Sequence, residues 1–476
     1  MLLLALALAL AAAAWVLLRP RKAECSLPPR IRHGLWETLC AFFSREAPLF
    51  LLARSREYGP IFRLSFGPKG GIVVISDAKL ATEVLKLSTA NTKPSAVYKM
   101  FDRVAGGTTF FTAEGFRWSH VRRATAAAFA PANVRRMEQA VERCCDRLIE
   151  EVVAPASESG ESFDVALAMQ HVTVRVICEA GFDYTVCDAE IRGIIEAFSD
   201  VYREYGQRVN VAPWRLLVPA LFAGARDARR GVTWLRSFAR RMLDHHREKD
   251  NASSTTTVIS AIAADDGYAS DDERVCDIIV FLAGGYDTTA FTLSWALLEL
   301  ARHPAEQARL RDSLGQRERR GSGGEGGASP DALALVVKET LRLHPAAALG
   351  SVRELGEDFR AGRYTLPRGA YVNVPYFVLH RSREAFGADA DAFRPGRWAG
   401  NDVPPSGAVL PFAIGRRNCV GQAMARAELH AVLARVVGEF ELAVDEEGTY
   451  DFFVTWKTKG TLLFAKRRES GDPSSE

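Results

Sequence analysis

Apolar and polar positions divide the chain into an unbroken apolar start, a long body of helical periodicity and a few short alternating stretches near the two ends. Met1 to Leu18 are all apolar; as a helix rising 1.5 Å per residue they span roughly 27 Å, just enough to cross a bilayer. Arg19, Arg21 and Lys22 follow at once and nothing basic precedes, which orients the N-terminus to the lumen and the body to the cytosol. The alternative is a cleaved secretory signal, suited by the Ala11–Ala14 run, but the basic n-region of such a signal is missing. The chain is therefore expected to divide into an anchor at 1–18, a basic hinge at 19–30 stiffened by Pro28-Pro29, one body at 31–468 and a polar tail at 469–476.

Within the body, Ala132 to Val153, Gly231 to Glu248 and Arg274 to Arg302 are long segments without internal proline, the last closing at His303-Pro304. Ile61 to Ser65 and Gly71 to Ile75 read as strands around the Gly67-Pro68-Lys69-Gly70 turn, and strand patterns return at Tyr371 to Val374, Phe440 to Val444 and Thr461 to Ala465. Asn251 to Thr256 and Gly321 to Ser329 read as loops, neither long enough to separate domains. The pattern predicts a mainly α fold with a small β-rich part.

Composition narrows the partners. The net charge of +3 offers no electrostatic case for nucleic acid. Eight cysteines are scattered without a CxxC pair or a His/Cys cluster at zinc spacing, which suits a reducing compartment. The adjacent Cys144-Cys145 pair reads as buried helix positions in preference to a vicinal disulfide.

One of these cysteines stands apart. Phe412, Gly415, Arg417, Cys419 and Gly421 are spaced as FxxGxRxCxG ahead of an Ala-rich helical run from Gln422 to Val436. A cysteine near a helix N-terminus meets unpaired N–H groups and the positive end of the dipole, which favour the thiolate, a good soft ligand for iron. Gly415 and Gly421 remove side chains where backbone must approach a large flat cofactor, Arg417 supplies a cation for its carboxylates, and Phe412 shields the sulfur.

This window resembles the haem-binding loop of the cytochrome P450 family, and further segments resemble the family's other elements in the same order along the chain. Trp118-Ser-His-Val-Arg122 is similar to its WxxxR element, which implies Trp118 and Arg122 as partners of a haem propionate; Arg353 stands where many members place another. Glu339-Thr-Leu-Arg342 resembles ExxR, with both side chains on one helix face. Phe393-Arg-Pro395-Gly396-Arg397-Trp398 resembles FxPERF, with Gly396 in place of the usual glutamate. The resemblance implies a buried structural network of Glu339, Arg342 and Arg397. Ala283-Gly284-Gly285-Tyr286-Asp287-Thr288-Thr289 is similar to the oxygen-binding signature. Two glycines inside a helix cost about 1 kcal/mol each against alanine. The expected return is room for a ligand at Gly284 and Gly285, with Asp287 and the Thr288 hydroxyl as catalytic groups that relay protons.

The resemblance implies the P450 fold, a helical prism with a small β-rich lobe, behind an N-terminal transmembrane helix. It also implies haem b held by Cys419, O2 as co-substrate, and electrons from NADPH through a flavoprotein reductase. The implied location is the endoplasmic reticulum membrane with the catalytic domain cytosolic, a plastid membrane being the alternative. Tyr98, Phe101, Phe110, Phe111, Leu282, Phe291, Phe452 and Phe453 fall in the family's pocket-lining segments and predict a lipophilic substrate such as a fatty acid, sterol or terpenoid. Trp214, Leu216, Leu217, Leu221 and Phe222 are expected as a second membrane contact. Two other functions compete on this reading: O2-independent rearrangement or dehydration of a lipid peroxide, and a non-enzymatic haem sensor.

Overall fold

The computed structural model describes residues 27–89, 92–249, 256–320, 331–400 and 404–468. The expected anchor at 1–18, the hinge as far as 26, most of the two loops read at 251–256 and 321–329, and the tail at 469–476 lie outside the described residues.

Thirteen helices of eight residues or more occur among the described residues: α1 Leu35–Phe42, α2 Ala47–Tyr58, α3 Ala78–Lys86, α4 Ser95–Ala105, α5 Gly115–Ala126, α6 Pro131–Leu148, α7 Val165–Val176, α8 Asp188–Val201, α9 Ala223–Glu248, α10 Asp271–Arg302, α11 Pro304–Arg320, α12 Ala332–Leu343 and α13 Gln422–Glu439. Strands β1 Ile61–Arg63, β2 Val73–Ile75, β3 Phe163–Asp164, β4 Ser351–Glu354, β5 Phe359–Ala361, β6 Tyr364–Leu366, β7 Tyr371–Val374, β8 Phe440–Glu446, β9 Thr449–Phe452, β10 Trp456–Lys459 and β11 Leu462–Arg467 are short. The largest sheet has the order β1-β2-β7-β4. Its β2/β7 pair is parallel, with Val73 opposite Val372, and its other pairs are antiparallel.

Helix α10 is the axis of the molecule. Ser270 caps it by accepting from the Glu273 N–H, three acids occupy its first turn, and His303 ahead of Pro304 ends it. Every residue from Thr289 to Ala301 is buried, the mark of a helix packed on all sides. By length and composition α10 is apolar enough to cross a membrane, but 78% of its most apolar stretch is buried inside the protein. Helices α7, α9 and α13 pack around it. Cys144 and Cys145 are free and buried on α6.

Several expected segments have different limits, among them β1, which ends at Arg63 and not at Ser65. Helix α6 stops at Leu148 and continues as a π-helical turn, Ile149–Val153; similar turns, Ile177–Gly181 and Tyr202–Arg208, follow α7 and α8. Helix α9 begins at Ala223, eight residues before Gly231, because Phe222 is the last extended residue after Pro219. Strand β2 begins at Val73 and not at Gly71, where the backbone passes so close to the Leu64 carbonyl that a Cβ would lie 2.1 Å from its oxygen.

Helix α12 supplies the polar anchor of the core. Glu339 and Arg342 are fully buried, and the Glu339 carboxylate accepts from Arg342 Nε at 2.9 Å, Arg342 Nη2 at 2.8 Å, Arg397 Nε at 2.8 Å and Trp398 Nε1 at 2.9 Å. The Arg394 backbone N–H adds a fifth donor at 2.9 Å. Arg342 turns its remaining hydrogens to the carbonyls of His380, Ala390 and Ala392. Gly396 faces open space, and Asp389 gives Arg397 a second carboxylate at 3.3 Å. Replacing Glu339→Gln strands two buried guanidinium groups, so unfolding in urea should show a loss of about 3–5 kcal/mol. A midpoint and slope equal to those of the parent would show that the network contributes nothing.

Candidate functional site

The Cys419 loop is built from tight backbone. Gly415 lies at φ +78°, and a Cβ there would sit 2.3 Å from the Leu85 carbonyl oxygen, so no other residue fits without moving helix α3. Ala413 also adopts a left-handed conformation, φ +55°. The Cys419 N–H donates to the Phe412 carbonyl at 2.8 Å, which folds the loop back on itself three residues before α13 begins. Leu410 ties its other end: the Leu410 N–H donates to His380 Nε2 at 2.7 Å. That nitrogen must therefore be the acceptor, and the His380 Nδ1–H donates to the Arg342 carbonyl at 3.1 Å. Burial, with Arg342 and Arg381 nearby, pushes the His380 pKa down to about 3, so the ring stays neutral and the link holds across the physiological range.

Cys419 is accessible, yet surrounding protein desolvates its thiol; a side chain that faces a recess satisfies both. Desolvation raises the thiol pKa, while the Gly421 N–H bonded to the sulfur and the Arg122 charge lower it. Burial outweighs the helix-terminus effect expected from the sequence. Arg122 clasps the loop, donating to the Asn418 carbonyl at 2.8 Å and to Asn418 Oδ1 at 2.7 Å.

Above the loop lies a concentration of buried positive charge. Arg417 stacks its guanidinium 4.0 Å over the Trp118 ring and uses Nη2 on the Ala113 carbonyl and Glu114, while its Nε and Nη1 have no partner among the described residues. Arg353, on β4, is 3% exposed, and Nη1 is its donor, to the Val352 carbonyl at 2.9 Å. Lys93 is also buried, its Nζ donating to the Phe111 carbonyl at 2.8 Å and lying 3.1 Å over the Phe111 ring. Burial first, then repulsion from Arg353 and Arg417, holds the Lys93 pKa well below the usual lysine value. Lys93 and Arg417 share one carboxylate, Glu114, whose two oxygens receive the Lys93 backbone N–H and Arg417.

On the α10 side the two glycines separate. A Cβ on Gly284 would meet nothing within 4 Å, although its helix is otherwise enclosed. Gly285 instead packs on the π-helical turn after α7, where a Cβ would lie 2.5 Å from Ile177. Only Gly284 leaves room for a ligand; Gly285 is there for helix packing. The Thr288 hydroxyl donates to the Gly284 carbonyl at 2.9 Å, the ordinary bond to the preceding turn. Asp287 points elsewhere: it is 2% exposed, with Oδ1 at 2.9 Å from Lys457 Nζ and Oδ2 accepting from Thr455 Oγ1 at 2.7 Å.

Trp118, Arg122, Arg353, Phe412, Arg417 and Cys419 are thus gathered from three distant stretches of chain. Lys93, Glu114, His380, Thr455 and Lys457 join them without any motif in the sequence to mark their roles. Of the residues expected at the pocket, Tyr98, Leu282, Phe291 and Phe452 are buried in the core, whereas Phe101, Phe110, Phe111 and Phe453 are half-buried. Phe101 packs edge-on to Phe111 at 4.8 Å, and Phe110 stacks on Phe281 of α10 at 4.6 Å. Partnerless guanidinium nitrogens, cations in excess of acids, a thiol in a recess and an open helix face fit a flat dianionic macrocycle carrying a thiolate-binding metal.

Comparison with known proteins gives the same answer independently. The family described as Cytochrome P450 matches residues 29–467. Cytochrome P450 714C3 of Oryza sativa subsp. japonica is 29% identical over 416 residues, 84% of this chain and 79% of that protein. A cytokinin hydroxylase of Arabidopsis thaliana is 35% identical over 172 residues, 35% of this chain and 33% of its own length. The protein LUTEIN DEFICIENT 5, chloroplastic, of Arabidopsis thaliana is 27% identical over 431 residues, 85% of this chain and 70% of its own. A crystal structure of a cytochrome P450 shares the fold with a TM-score of 0.78 at 21% identity, over 94% of this chain and all of that one. A match that takes in the Cys419 loop, the Glu339 network and α10 together shows that this chain belongs to the cytochrome P450 family of haem monooxygenases.

Proposed function

We propose that this monooxygenase inserts one oxygen atom of O2 into a C–H or C=C bond of a lipophilic substrate, a fatty acid, sterol or terpenoid, with electrons from an NADPH-dependent flavoprotein reductase. The aromatic wall of Phe101, Phe110 and Phe111 between the Lys93 cluster and α10 carries the substrate class, because half-buried rings reward apolar contact. The names of relatives that are hydroxylases support the reaction type. Haem b, when bound, supplies the redox centre for oxygen activation. Cys419 would ligate its iron, Lys93, Arg353 and Arg417 would hold its carboxylates, Arg122 would brace the loop, and Gly284 would leave room for a ligand. Supplied with 18O2, NADPH and a flavoprotein reductase, the full chain should place a single 18O atom in a long-chain apolar product; product formed without NADPH would overturn this reading.

Protons fall to α10. Thr288 presents a hydroxyl beside the open Gly284 face, and Asp287, one residue earlier, is fastened by Lys457 and Thr455. Lys457 therefore controls when the acid is free to serve the hydroxyl, and its own ammonium is the nearest proton reserve. Thr288→Ala should raise the share of NADPH consumed without product several-fold. Lys457→Met should lower coupling in the same direction, and Lys457→Arg should restore it; equal coupling in all three would remove the relay from this site.

The endoplasmic reticulum membrane is the proposed location, with the body in the cytosol. Support comes from the apolar 1–18 segment and its basic flank, and from the loop before α9, where Trp214 is 53% exposed and Leu217 and Leu221 are each 76% exposed. Relatives named for chloroplast and mitochondrion keep a plastid membrane as the competing address. Deleting residues 1–22 should move most of the protein into the soluble fraction only when Leu217→Ser and Leu221→Ser are added. Full release by the deletion alone would exclude the second contact.

A further inference from the structure

Helix α4, the π-helical turn Tyr202–Arg208 and helix α9 line an open surface cleft of about 600 Å³ that shares no residue with the Cys419 site. That volume lies within the range of small-molecule sites. Lys99, Asp102, Arg103, Tyr205, Arg229 and Thr233 provide its polar lining.

The charges in this cleft are arranged differently from those nearby. Helix α9 carries seven arginines. Six of them donate to a carboxylate or a carbonyl: Arg226 to Ala220, Arg230 to Asp227, Arg236 and Arg240 to Asp272, Arg241 to Glu190 and Arg247 to Asp271. Arg229 alone has no partner for its guanidinium among the described residues, and it is the one that lines the cleft. Across from it, Lys99 and Arg103 stand one turn apart on the same face of α4, an i,i+4 pair of like charges that disfavours the helix. Neither has an ion-pair partner among the described residues. Asp102, the acid of the lining, accepts from Thr112 Oγ1 through its carboxylate, while its backbone carbonyl accepts from the Gly107 N–H. Tyr205 lines the same wall; the Arg229 and Arg103 charges oppose the effect of its burial, and that of Glu204 adds to it.

We infer that this cleft binds the oxyanion head of an amphiphile, a carboxylate or a phosphate monoester, through Lys99, Arg103 and Arg229 with Tyr205 as an additional hydrogen-bond donor. Three cations without ion-pair partners among the described residues converge on one concave wall whose single lining acid, Asp102, leaves a net positive field. Guanidinium groups match carboxylate and phosphate oxygens in a two-pronged geometry. An oxyanion also removes the repulsion between Lys99 and Arg103. The exposed apolar loop Trp214–Leu221 runs straight into the start of α9, two turns before Arg229, so an apolar tail has a surface to follow from the same head site.

The test uses the full haem-loaded chain in phosphatidylcholine nanodiscs, titrated calorimetrically with octanoate, octyl phosphate and octanol. Octanoate and octyl phosphate should bind at least tenfold more tightly than octanol, and Arg103→Gln with Arg229→Gln should abolish that difference while octanol affinity stays unchanged. Arg229→Gln alone, at an exposed position, should give an intermediate loss with the parent's circular dichroism. Arg230→Gln, outside the cleft and paired with Asp227, should change nothing. Repeating the titration in discs containing phosphatidylglycerol separates the sources: weaker octanoate binding there identifies a lipid headgroup as occupant, and unchanged binding identifies a free amphiphile. Equal octanoate affinity in parent and double variant, or an equal loss in Arg230→Gln, would overturn the site.

Discussion

The Glu339 carboxylate is the constraint on which the catalytic half of the molecule depends. It is fully buried and accepts five hydrogen bonds, four of them from Arg342, Arg397 and Trp398 side chains, so neither the acid nor its cations can leave without stranding the others. Through Arg342 it fixes the carbonyls of His380, Ala390 and Ala392. Through neutral His380 it fixes Leu410, two residues before the loop that presents Cys419. A buried charge cluster of this kind contributes little net stability, because desolvation offsets attraction. What it contributes is a single geometry for a stretch of chain with almost no regular secondary structure.

A second balance operates above that loop. The side chains of Lys93, Arg353 and Arg417 are buried near one another, and among the described residues Glu114 is the carboxylate that answers Lys93 and Arg417. The protein keeps them together by stacking, with Trp118 under Arg417 and Phe111 under Lys93, contacts that hold a cation without neutralising it. The site is thus rigid and electropositive at once, which is what recognition of a dianionic cofactor requires.

The roof over α10 is joined to the acid beneath it. Gln207, in the π-helical turn after α8, donates to the Phe452 carbonyl at 2.7 Å, and Phe452 ends the strand that pairs with β10, which carries Lys457 to Asp287. Lys457 lies over Phe291 at 4.6 Å and near Tyr202 at 5.5 Å, so its ammonium is caged by rings as well as by the carboxylate. π-Helical turns widen a helix locally and occur often at functional sites; here one touches both this hairpin and the cationic cleft.

The sequence alone determined what depends on local spacing. The FxxGxRxCxG window, the Glu339/Arg342 pair one turn apart and the long apolar segment ending at His303-Pro304 each follow from residues that are neighbours on one loop or one helix face. Their order along the chain was sufficient for the family. Tertiary structure decided everything that depends on which distant residue occupies the remaining space. Gly284 and Gly285 look identical in sequence, yet a 100° turn of helix sends one toward open space and the other into Ile177. Asp287 and Thr288 are adjacent, but Lys457, 170 positions away, takes the acid. Strands β3, β4, β5, β6, β9 and β10, of two to four residues each, went unread, and Lys93, His380 and Arg229 carry no motif at all. Their roles arise from burial and from the presence or absence of a counter-charge, which only the folded chain defines.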